Sequence, residues 1–132
     1  MARVTGIGGV FFKVEDPERT RAWYKQHLGI DAGPYGHTFA WRDPSNPEAE
    51  GRTVWNPFPA DSTYFDPTKS RYMINYIVDD LHGLLAQLRA AGVQVDDKVE
   101  EHEYGKFGWA VDVDGNRMEL WEPPAKLPEG VD

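Results

Sequence analysis

The chain has 132 residues, 40% of them hydrophobic and 13% aromatic, which suits one globular domain with a core of its own. A net charge of −8 argues against nucleic acid, whose phosphates need a basic face, and against an anionic membrane surface. The absence of cysteine excludes disulfides, thiolate catalysis and cysteine-held zinc. No stretch approaches the ~20 apolar residues that span a bilayer, and Met1-Ala2-Arg3-Val4 opens no signal-like run, so the expected location is the cytoplasm.

Gly8 to Val14, rich in glycine, valine and phenylalanine, reads as a strand. Asp16-Pro17 then starts a helix, because aspartate caps well and proline suits the first helical position. Gly29 ends it. Thr38 to Arg42 and Arg52 to Asn56 read as strands around the polar turn Asp43-Pro44-Ser45-Asn46-Pro47. The proline-bearing connector that follows carries Phe58, Tyr64 and Phe65, too aromatic for a flexible linker.

Tyr72 to Val78 reads as the next strand. In the helix after it, Leu81, Leu84, Leu85, Leu88 and Ala91 form one apolar stripe, ended by Gly92. Strands are expected near Asp97–His102, Phe107–Asp112 and Arg117–Glu122, with Asp114-Gly115-Asn116 as a hairpin turn between the last two.

The run from Val14-Glu15-Asp16-Pro17 to Leu28-Gly29-Ile30 is repeated by the run from Val78-Asp79-Asp80-Leu81 to Ala91-Gly92-Val93. Internal repetition fixes architecture. Each half reads as strand, helix and about three strands, an α+β pattern. The expected organisation is one domain: module one at about 5–58, a connector at 59–70, module two at about 71–123 and an irregular tail at 124–132.

Three segments together resemble the vicinal oxygen chelate superfamily, which includes glyoxalase I, bleomycin-resistance proteins and extradiol dioxygenases. They are Phe11 to Gly29, Tyr76 to Val93, and Val111-Asp112-Val113-Asp114-Gly115-Asn116-Arg117-Met118-Glu119-Leu120-Trp121-Glu122-Pro123. The resemblance covers about residues 5 to 123. It implies two paired βαβββ modules forming a curved sheet around a cavity. In metal-dependent members it also implies one His, Glu or Gln ligand from the first and last strand of each module, with open metal positions for substrate oxygens.

Those positions map onto Gly9 and Met73, about seven residues before the helix-opening Asp16 and Asp80, and onto Glu119 in the last strand. The echo of Trp121-Glu122-Pro123 in Trp55-Asn56-Pro57 sets Thr53 opposite Glu119. Glycine has no donor, a thioether is too soft for zinc, nickel, manganese or iron(II), and a threonine hydroxyl is weak. Glu119 alone is a credible ligand, so neither a family metal nor any other cofactor is expected.

Strand side chains alternate between faces. The expected pocket is therefore lined by Phe11, Lys13, Thr53, Trp55, Met73, Asn75, Glu119 and Trp121, with Arg117 on the same face of its strand. Aromatic and apolar walls with a few polar groups suit a small organic molecule. The leading expectation is a small-molecule binder without a metal. One alternative is a metal-dependent lyase or dioxygenase with a displaced site at Glu119 and His37 or His102. Another is a structural or interaction protein whose cavity is filled. A homodimer is expected, because family members often pair modules across chains and open sheet edges need cover.

Overall fold

A computed structural model describes residues 1–125, so the end of the expected tail, 126–132, lies outside the described residues. β1 (Val4–Val14) leads into α1 (Pro17–Leu28), then β2 (His37–Asp43) and β3 (Asn46–Pro59). β4 (Tyr72–Val78) leads into α2 (Leu81–Ala90), then β5 (Glu100–His102), β6 (Gly105–Val111) and β7 (Arg117–Glu122). The strands form one mixed sheet in the order β2-β3-β1-β4-β7-β6-β5, open at its two ends.

The two halves meet where β1 pairs antiparallel with β4, Gly9 opposite Asn75 and Phe11 opposite Met73. Within each half the first strand runs parallel to the last, β1 beside β3 and β4 beside β7. The second half has the full βαβββ pattern. The first contributes β1, α1, β2 and β3, with an isolated bridge between Gly33 and Gly36 where a further strand was expected.

Both helices start as their sequences require. The Asp16 side chain accepts from the Arg19 N–H, with Pro17 at the first position, and Asp80 accepts from Gly83. Gly29 closes α1 at φ 72°, a left-handed conformation that a Cβ would disfavour. α2 buries Leu81 and Leu85 against Val78, Ala110 and Leu120, as the apolar stripe predicts. Glu122 accepts from the Leu81 N–H at 2.8 Å, which ties the start of α2 to the end of β7. On the other half, Phe12, Tyr24 and Trp55 pack together between the sheet and α1. Among the described residues no helix is long and apolar enough to cross a membrane.

Candidate functional site

The face of the sheet turned away from the helices encloses a cavity of about 420 Å³. Two stacked aromatic pairs flank it. Phe58 and Tyr64 lie 5.8 Å apart at 10°, and Phe107 and Trp121 lie 6.1 Å apart at 9°. Phe11 and Val54 add apolar wall, Asn56, Asn75, Glu119 and Arg52 add polar groups, and Tyr35 and Tyr104 bring two further hydroxyl-bearing rings. Arg52 holds Glu50 with its Nε at 3.4 Å.

Glu119 is 4% exposed and is surrounded by donors. The Asn75 Nδ2 donates to Oε1 at 2.6 Å, and the Trp109 Nε1 donates to Oε2 at 3.2 Å. The Tyr64 hydroxyl also donates to Oε2. Burial raises the Glu119 carboxyl above the ordinary carboxylate value, against the lowering effect of these three donors and of Arg117. Burial, the Glu119 charge and the hydrogen bond to Glu119 together push the Tyr64 phenol far up, so it remains a proton donor.

Arg117 anchors the connector over this group. Its Nη1 donates to the Tyr64 carbonyl at 3.1 Å and to the Asp66 carbonyl at 2.8 Å. Its guanidinium lies 5.6 Å from the Tyr64 ring centre and 5.3 Å from that of Trp109. Its Nη2 lies 3.6 Å from Asp96.

Of the residues expected in the pocket, Phe11, Asn75, Glu119 and Trp121 line the cavity. Lys13 and Met73 do not. Met73 is buried with Phe11 and Phe65, and the Lys13 ammonium sits 5.2 Å over the Phe65 ring, because the connector folds back across their end of the face. Thr53 and Trp55 point the other way. The Thr53 hydroxyl bonds the Ile7 carbonyl at 2.6 Å and accepts from Trp41 at 2.8 Å, while Trp55 packs on Tyr24.

Register explains this shift in β3. Asn75 lies beside Glu119 in the β4–β7 pair, and its counterpart Phe11 lies beside Asn56 in the β1–β3 pair. Asn56, not Thr53, is therefore the counterpart of Glu119. The Trp-x-Pro echo misaligned the strand and reversed its alternation, so Arg52, Val54, Asn56 and Phe58 face the cavity instead.

Tyr64 and Trp109 were not singled out by the site expectations. Tyr64 was visible only as an aromatic in the connector, and Trp109 only as a strand residue. His102 pairs with Glu100 at 2.9 Å and His37 packs edge-on against Phe39, so each has a partner outside the cavity. Among the described residues no three of His, Cys, Asp and Glu come close enough to hold a metal ion.

A curved sheet of duplicated halves around a pocket is the architecture of the glyoxalase fold. The chain belongs to the Glyoxalase/Bleomycin resistance protein/Dioxygenase superfamily, whose family model matches residues 6–120. No curated relative matches it. Among solved structures it is similar to a Streptomyces coelicolor methylmalonyl-CoA epimerase variant in complex with 2-nitronate-propionyl-CoA. That match has a TM-score of 0.68 and 18% identity, covering 96% of this chain and 99% of the other. The Mycobacterium tuberculosis methylmalonyl-CoA epimerase gives 0.58 and 22%, covering 92% and 89%. A superfamily member from Vibrio splendidus 12B01 gives 0.54 and 14%, covering 92% and 99%. At these identities the likeness is one of fold.

Proposed function

We propose that this protein binds a small planar organic molecule in the cavity and does so without a divalent metal. Phe11, Asn75, Glu119 and Trp121 contact the ligand, together with Phe58 and Phe107. The observation that carries the proposal is an open cavity of about 420 Å³ between stacked aromatic pairs, since flat rings of this kind favour a flat ligand.

The donor chemistry supports the second half. Of the four positions where the family places ligands, Gly9 has no side chain and Met73 offers a packed thioether. Asn56 offers one amide oxygen. Glu119 already accepts from Asn75, Trp109 and Tyr64. A divalent ion there would meet three inward-pointing donors before it met a second anionic ligand. The displaced-metal alternative also lacks its histidine, because His37 and His102 are absent from the cavity lining.

The test is calorimetric titration with 2-naphthol before and after exhaustive chelation, alongside metal analysis of the purified protein. Equal stoichiometric binding in both samples is expected. A stoichiometric divalent ion whose removal abolishes binding would overturn the proposal.

A homodimer belongs to the same proposal. β2 and β5 end the sheet with unpaired edges, and Phe39 on β2 is 44% exposed. Sedimentation equilibrium at micromolar concentration is expected to give twice the chain mass; a monomer at all concentrations would remove this part.

A further inference from the structure

The cavity presents unmet acceptors. Asn75 is 3% exposed and lines the cavity, and its Oδ1 is buried without a hydrogen-bond partner. Its amide orientation follows from its neighbour. The Nδ2 faces the Glu119 carboxyl, to which it donates at 2.6 Å, and the oxygen faces away. Gly8 lies against that oxygen, and a Cβ at Gly8 would overlap it. Asn56, the counterpart of Glu119 in the other half, also lines the cavity with a buried Oδ1 that has no partner. A buried acceptor left unpaired is costly, and a ligand that supplies the missing donor recovers that cost.

The donors beside Glu119 are committed to it, and the cationic group of the lining faces a carboxylate of its own. Tyr64, Trp109 and the Asn75 Nδ2 all serve Glu119, and the Arg52 Nε lies 3.4 Å from Glu50. An anionic ligand would enter beside the Glu119 carboxyl and two amide oxygens. A neutral ligand with an O–H or N–H would instead find the groups it needs.

We propose that the cavity selects a neutral planar aromatic that carries a hydrogen-bond donor, taken up by Asn75 and Asn56, and discriminates against carboxylates. This rests on the binding function proposed above and adds the ligand's polar chemistry to it.

The experiment is calorimetric titration of the full chain at pH 7 with three probes of one ring system: 2-naphthol, 2-fluoronaphthalene and 2-naphthoate. Fluorine matches the hydroxyl closely in size but donates nothing. The expected result is that 2-naphthol binds about tenfold more tightly than 2-fluoronaphthalene, with 2-naphthoate weakest. Asn75→Leu is expected to erase the advantage of 2-naphthol. Asn56→Leu, which leaves the donors to Glu119 in place, is expected to reduce it if Asn75→Leu does not fold. Equal affinities for 2-naphthol and 2-fluoronaphthalene, or tighter binding of 2-naphthoate, would overturn donor selection while leaving aromatic binding intact. Failure of all three probes to bind would overturn the binding function and this inference with it.

Discussion

The Tyr64 hydroxyl donates to the Glu119 carboxylate, joining the connector to β7 across 55 positions of sequence. The bond lies beside the cavity floor and is reinforced by Trp109, whose Nε1 is 3.3 Å from the Tyr64 oxygen. Tyr64→Phe keeps the ring stacked on Phe58 and removes only the donor. A hydrogen bond to a charged or strongly polarised acceptor contributes about 1.5–3 kcal/mol, so a loss of that order is expected in urea unfolding. The loss is expected to shrink in a Glu119→Gln background, because the two residues act as one pair. Additive effects in the double-mutant cycle would show that the contact carries no coupling.

The raised carboxyl of Glu119 has a consequence for stability. Because burial lifts its folded value above the ordinary 4.5, the folded chain holds the proton where the unfolded chain has released it. Stability from this group is therefore greatest below the ordinary value and falls as pH rises through the folded one. The lowered carboxyls of Asp43, Glu100 and Asp112 act oppositely, and only at more acid pH. Urea midpoints for the wild type and for Glu119→Gln, compared between pH 4 and 8, isolate the effect. The wild type is expected to lose stability with rising pH relative to the variant; parallel profiles would contradict the assignment.

Much of the fold was legible because its signals were local. Asp16 and Asp80 cap their helices through contacts three residues away, and Leu81 and Leu85 fall on the buried side of a four-residue spacing. In β4 and β7 the alternation places Asn75, Glu119 and Trp121 beside the cavity, while Met73 packs with Phe11 and Phe65. β3 failed because its register is set by pairing with β1, Phe11 beside Asn56, and a short sequence echo cannot report that pairing. The echo is off by three residues, from Asn56 to Thr53, and any odd slip puts Thr53 and Trp55 on the wrong face. Tyr64 was illegible for another reason. It sits in a proline-bearing connector without periodicity, and its role comes from a contact with a strand far along the chain.

Arg117 is expected to be irreplaceable by lysine. Its planar fork spans two carbonyls, at Tyr64 and Asp66, while its face lies over the rings of Tyr64 and Trp109. A single ammonium cannot do both. Arg117→Lys is expected to cost about 1.5–3 kcal/mol of stability, on the scale of a lost hydrogen bond to a charged donor. It should also speed amide hydrogen exchange in the connector around Tyr64 more than in α2. Uniform exchange across both segments would show that Arg117 does not hold the connector.

Gly8 gives a way to close the cavity from the backbone side. A Cβ there would overlap the Asn75 Oδ1 and come within 3.0 Å of both Ile77 Cγ1 and Trp121 Cε3. Ile77 and Trp121 belong to paired strands and have little room to retreat. Asn75 is the group that can move, and moving it breaks its bond to Glu119. Gly8→Ala is therefore expected to cost about 1–3 kcal/mol, in the range for overpacking a buried site. It should also weaken 2-naphthol binding at least as much as Asn75→Leu does. Circular dichroism would confirm that the sheet persists, and calorimetry would measure the affinity. A variant that folds and binds like the wild type would mean that Gly8 and Asn75 do not define the floor of the site.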